Sequence, residues 1–105
     1  HGIREKKGED IAVLHVGALK NMVTEYFIIC SGTNDRQNQA IADSIEEEMR
    51  KAHNERPLAV EGAARGEWIL LDFVNVVVHV LLPRARAFYN LEQLWGDAPT
   101  ERYAD

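Results

Sequence analysis

At 105 residues the chain has the length of one domain and is too short for two ordinary ones. A hydrophobic fraction of 46% with 28% charged residues excludes wholesale disorder, a collagen-like repeat and a coiled coil. Twelve Lys and Arg against seventeen Asp and Glu leave a formal charge of −5, which opposes unaided binding to a phosphate backbone.

Residues 1–10 are charged and weakly patterned, and are expected to form a tail or the end of a helix. Because the chain opens on His1 rather than methionine, a segment is expected to precede it. One domain is expected over residues 11–99, with residues 100–105 as a C-terminal tail. Ile11, Val13, Leu14 and Val16 suggest a first strand; after a loop from Gly17 to Thr24, Tyr26 to Cys30 suggests a second. Consecutive apolar residues in that second run predict a strand covered on both faces.

Ser31, Gly32, Thr33, Asn34 and Asp35 supply turn and N-cap chemistry ahead of a helix running to about His53. Its core face is read from Ile41, Ile45, Met49 and Ala52, and Glu46–Arg50 and Glu47–Lys51 are favourable i,i+4 pairs on the wet face. Asn54 to Glu67 contains Pro57, Gly62 and Gly66, and reads as loop around a short extended piece near Ala59–Glu61. Trp68–Phe73 and Val76–Leu82 are the clearest strands, joined in a tight hairpin at Val74 and Asn75. Pro83 opens a last helix whose apolar face is Phe88, Leu91, Leu94 and Trp95, closed by Gly96 and Pro99. The resulting order predicts an α/β domain with a mixed β-sheet and helices mainly on one face.

A two-residue hairpin loop pairs Phe73 with Val76 and Trp68 with Leu81. Side chains alternate along a strand, so Ile69, Leu71, Phe73, Val76, Val78 and Val80 share one face, which must be the core face. The other face carries Trp68, Leu70, Asp72, Val77, His79 and Leu81, too apolar for solvent and too polar for a core. It expects a cover from outside the visible elements: a binding partner, a preceding helix or a second copy of the chain.

Chemical motifs are sparse. Ser31, His79 and Asp72 make a nominal nucleophile set, with Asp72 diagonal to His79 and placed to orient it. No G-x-S-x-G elbow supports that set. Cys30 reads as a small buried hydrophobe, and its lone thiol suits a reducing compartment. The four histidines are isolated, with no C-x-x-C or H-x-x-x-H spacing, so no metal site and no cofactor are expected. A strand, a Gly-containing turn and a helix also suggest a nucleotidyltransferase fold, but the close carboxylate pair of two-metal chemistry is missing beside Asp72. Arg84 and Arg86 are few for RNA, and the longest apolar run, Val76–Leu82, is far too short to span a membrane.

Four ordered blocks carry a family resemblance from about Asp10 to Pro99. They are Glu25–Ile29 with Ser31–Gln37, Glu67–Phe73, Val76–Val80, and Phe88–Asp97. In these the chain resembles the ribosomal silencing factor family, also called RsfS or Iojap. The resemblance departs at His15 and Glu25, where many members have Asp, and at Val74, where many have Gly. It implies a nucleotidyltransferase-like α/β fold without enzymatic activity. It also implies a cytoplasmic translation repressor that binds the large ribosomal subunit through its fourteenth protein and sterically blocks the small subunit when nutrients are scarce. Organelle relatives are linked to assembly of the large subunit.

On this basis the partner-binding residues are expected to be Trp68, Leu70, Asp72, His79 and Leu81 on the hairpin face, with Tyr26, Thr33, Asp35 and Arg36 next. Little direct RNA contact is expected, and a homodimer is the other occupant of the same face when the protein is free. The rival from another class is a vestigial nucleotidyltransferase or small hydrolase using Asp72 and His79.

Overall fold

The computed structural model describes residues 9–18, 24–96 and 98–103. Most of the expected N-terminal tail and part of the Gly17–Thr24 loop lie outside them. Among the described residues six strands form a single sheet in the order β3-β4-β5-β2-β1-β6: β1 Glu9–Leu14, β2 Tyr26–Ser31, β3 Ala59–Glu61, β4 Trp68–Asp72, β5 Val76–Leu81 and β6 Thr100–Tyr103. Only β2 and β5 run parallel; every other neighbouring pair is antiparallel. The helices are α1 Asp35–His53, α2 Pro83–Tyr89 and α3 Leu91–Leu94, with a 3-10 turn at Val16–Ala18. The sheet is mixed and the class α/β, as expected. No helix among the described residues is long and apolar enough to cross a membrane.

The hairpin has the expected register, with Trp68 opposite Leu81, Leu70 opposite His79 and Asp72 opposite Val77. Its core face packs under α1: Ile69, Leu71, Phe73, Val78 and Val80 join Cys30, Ile41 and Ile45 in one buried cluster. Met49 packs against this cluster, whereas Ala52, expected on the same face, is exposed in the last turn of α1. Asn34 caps the helix, its side chain accepting the Gln37 N–H, and Gln37 reciprocates by accepting both the N–H and the hydroxyl of Thr33.

Asn38 then fixes α1 to the sheet. Fully buried, it accepts the Gly32 N–H at 2.9 Å and donates to the Gly66 carbonyl at 2.7 Å, satisfying two backbone groups at once. Gly66 has φ +74, and a Cβ there would sit 2.8 Å from the Asp35 backbone oxygen, so only glycine allows this close approach. The loop that delivers Trp68 into β4 is therefore anchored on the first turns of α1.

Two further expectations are corrected. Thr100–Tyr103 is not a tail but an edge strand, pairing with β1 from Thr100 opposite Leu14 to Tyr103 opposite Ile11. The strand is short and all four residues are exposed, so no apolar alternation marks it. The last helix is also broken in two. Asn90 takes a left-handed conformation, with φ 49, and its N–H closes the turn on the Arg86 carbonyl. Leu91 and Trp95 pack on the sheet as predicted, but Phe88 and Leu94 do not; they are 81% and 70% exposed.

Candidate functional site

The second sheet face is the one the sequence left without a cover, and the structure covers part of it. Ala85 of α2, Leu91 of α3 and Trp95 close over Ala12, Leu14, Ile29 and Leu81, making a second core opposite α1. Leu81 is fully buried and His79 only 6% exposed, so neither presents a surface to a partner. That corrects their expected role as contacts. Trp68, Leu70 and Asp72 remain partly exposed on β4.

From Trp68 a line of rings leads outward. The Trp68 indole lies 4.7 Å from the Tyr89 ring, which lies 5.1 Å from Phe88. Inward, Trp68 meets the His79 imidazole at 5.9 Å, His79 meets Phe27 at 5.3 Å, and Phe27 meets Trp95 at 5.5 Å. The exposed half of this line is an apolar surface contributed by β4 and α2. Phe88 and Tyr89 escaped the sequence reading because helical periodicity assigned Phe88 to the core; only the break at Asn90 turns it outward.

Arg86 and Glu92 hold the two short helices together. The Arg86 guanidinium bonds the Glu92 carboxylate at 2.6 Å and the Ser31 hydroxyl at 3.1 Å, and Arg102 of β6 reaches the other Glu92 oxygen at 2.6 Å. The hydrogen bond from Arg86 holds the Glu92 pKa below the usual carboxylate value. One carboxylate thus links α2, α3 and the C-terminal strand behind the aromatic surface.

The nominal nucleophile set does not assemble. Ser31 Oγ is engaged by Arg86, His79 Nδ1 accepts the Trp68 indole N–H at 3.1 Å, and Asp72 Oδ1 accepts the Val74 N–H at 2.8 Å. The expected Asp72–His79 orienting bond is absent among the described residues, because Asp72 turns instead to the hairpin loop. Burial pushes the His79 pKa down to about 4 and the Cys30 pKa up to about 12, leaving a neutral imidazole and a neutral thiol at physiological pH. Among the described residues no group of three or more His, Cys, Asp or Glu is placed to hold a metal ion.

The remaining expected residues are dispersed. Thr33 and Asp35 line an open cleft of about 470 Å³ with Arg65, Glu67 and Arg84, at the carboxyl ends of β2 and β5, and Arg36 is exposed beside them. Trp68 enters β4 at this same end of the sheet, opposite Leu81. Tyr26 lies at the far end of β2, pairs with Val76 of the α1 face, and packs 4.9 Å from His15. It therefore does not join Trp68.

Comparison with known proteins decides the family. Residues 1–105 match the family described as "Ribosomal silencing factor during starvation". The chain belongs to the ribosomal silencing factor family. It is 41% identical to "Ribosomal silencing factor RsfS" of Bacillus subtilis over 95 residues, covering 90% of this chain and 79% of that one. A more distant relative in the family is the mouse "Mitochondrial assembly of ribosomal large subunit protein 1", 32% identical over 89% of this chain and 41% of its own length. Among solved structures, a Chromobacterium violaceum protein matches with a TM-score of 0.85 and 36% identity, covering 90% of this chain and 78% of that one. The fold of this silencing factor is thus that of crystallised proteins with clear sequence similarity.

Proposed function

We propose that this member of the ribosomal silencing factor family represses translation by occupancy. It docks on the large ribosomal subunit through that subunit's fourteenth protein and so keeps the small subunit from joining. Trp68, Leu70 and Asp72 supply the contact on β4, extended by Tyr89 and Phe88 of α2. The observation that carries this reading is the exposed ring series Phe88–Tyr89–Trp68 contributed by α2 and β4. Aromatic residues dominate the energetics of protein interfaces, and a standard interface buries roughly 800 Å² per partner, within the reach of one face of a domain this size.

The acidic balance supports a protein rather than an RNA contact. Arg65 and Arg84, the basic residues of the neighbouring cleft, each lie 3.6 Å from Glu67, which offsets their charge. The name of the mouse relative, which refers to assembly of the ribosomal large subunit, supports the choice of subunit. No bond is made or broken in this reading, no cofactor is required, and the site of action is the cytoplasm.

Cosedimentation with isolated large and small subunits at moderate and high salt tests it. Comigration with the large subunit alone is expected, and it should resist salt because the contact is apolar. Trp68→Ala, with the fold verified by circular dichroism, should weaken that comigration by roughly tenfold or more, as loss of a central aromatic costs on the order of 2 kcal/mol. A folded Trp68→Ala protein that still sediments with the large subunit at wild-type affinity excludes the assigned face.

A further inference from the structure

The indole N–H of Trp68 is a donor and has no lone pair to offer, so its 3.1 Å bond to His79 makes Nδ1 the acceptor. The imidazole must then be neutral with its proton on Nε2. That proton is buried without a hydrogen-bond partner among the described residues. A donor left unpaired in a core is unfavourable, and His79 carries it while supplying one lone pair to one tryptophan.

We propose that His79 is a positioning residue for the docking face: its Nδ1 lone pair fixes the orientation of the Trp68 indole, and through it the Tyr89 and Phe88 rings that meet the partner. This rests on the docking reading above and reassigns His79 from a contact to the support beneath one. Two physical consequences follow from the bond. Rotation of a partly exposed indole about its broad second torsion is restricted to the arrangement that packs, tilted, against Tyr89, whose ring meets the 81% exposed Phe88 edge-on. In addition, the indole N–H is already satisfied from within, so an apolar partner surface can cover Trp68 without stranding a polar group. A tryptophan whose N–H pointed to solvent would lose that bond to water on docking.

The hydrogen bond is tested first in the free, 15N-labelled wild-type protein by NMR. Expected are a protonated Nε2 and an unprotonated Nδ1 on His79 at neutral pH, and a scalar coupling across the bond between Trp68 Nε1 and His79 Nδ1. An Nδ1-protonated tautomer overturns the proposal. The role is tested by large-subunit cosedimentation of His79→Leu and His79→Asn. The leucine lacks an acceptor and is expected to weaken binding roughly tenfold while releasing the Trp68 indole resonance to fast solvent exchange. The asparagine places Oδ1 near the Nδ1 position and is expected to restore most of the affinity and the protected resonance. A folded His79→Leu protein that binds as wild type overturns the proposal. If instead wild type itself fails to bind the subunit, the docking reading fails, and the NMR measurement still reports on the bond.

Discussion

Val74 carries a conformation that its side chain disfavours. Its φ is 72, and the Asn75 N–H closes a three-residue turn on the Phe73 carbonyl at 2.9 Å. The other non-glycine residues with positive φ among the described residues, Asn54 and Asn90, are of the type that tolerates this region; a β-branched valine is not. The Asp72 carboxylate secures the turn by accepting the Val74 N–H, which is why that carboxylate does not serve His79. Val74→Gly should therefore stabilise the protein by about 1 kcal/mol, relief of strain exceeding the added chain entropy. A rise in the urea midpoint at unchanged slope checks this, and a fall would show that the turn is not strained.

At the scale of elements, α2 and α3 depend on Glu92. Neither short helix has a fully buried residue of its own, and the break at Asn90 leaves them without a continuous hydrogen-bond ladder. What holds them to the sheet is Leu91, Ala85 and Trp95 on the second core, together with the Arg86–Glu92–Arg102 bridge. The Arg86 and Glu92 side chains are 11% and 19% exposed, so their pairing is little screened by solvent. Glu92→Gln should cost about 1.5–3 kcal/mol, the range for a hydrogen bond to a charged group. Amide hydrogen exchange should accelerate in α2, α3 and β6 while β4 and β5 stay protected. Uniform acceleration across the sheet would show that the bridge stabilises the whole domain rather than clamping these elements.

For the whole molecule, His79 and Glu92 make stability fall with acid. His79 titrates near 6.5 when unfolded and near 4 when folded, so between these values the unfolded chain binds more protons. Its contribution is complete above about pH 6.5 and is lost progressively towards pH 4, amounting to up to about 3 kcal/mol. Glu92, with its pKa lowered by Arg86, adds stability that is present above its ordinary value of 4.5 and lost as pH falls through the folded value. Urea midpoints measured from neutral to acid pH should decline first through the histidine range and again below it. In His79→Asn the first decline should be reduced; an equal decline in both proteins would place its origin elsewhere.

What the residues determined by themselves was local or periodic. The α1 boundaries follow from cap chemistry at Asn34 and an apolar repeat, and the hairpin register follows from the two-residue period and a short loop. Four ordered blocks of motif made the family resemblance legible, and the acidic balance disfavoured an RNA ligand. The tertiary structure decided the rest because it depends on long-range pairing. Strand β6 exists by hydrogen bonding to the free edge of β1, which needs no apolar pattern. His79 and Leu81 share a strand face with Val77, yet only tertiary packing removes them from solvent: residues of α2 and α3 close over the cluster that holds Leu81, and the Phe27 and Trp68 rings pack on His79. The proposed docking surface was half legible: Trp68 and Leu70 stand on the register the sequence dictates. Tyr89 and Phe88 join them because a left-handed Asn90 breaks a helix whose periodicity alone would have buried Phe88.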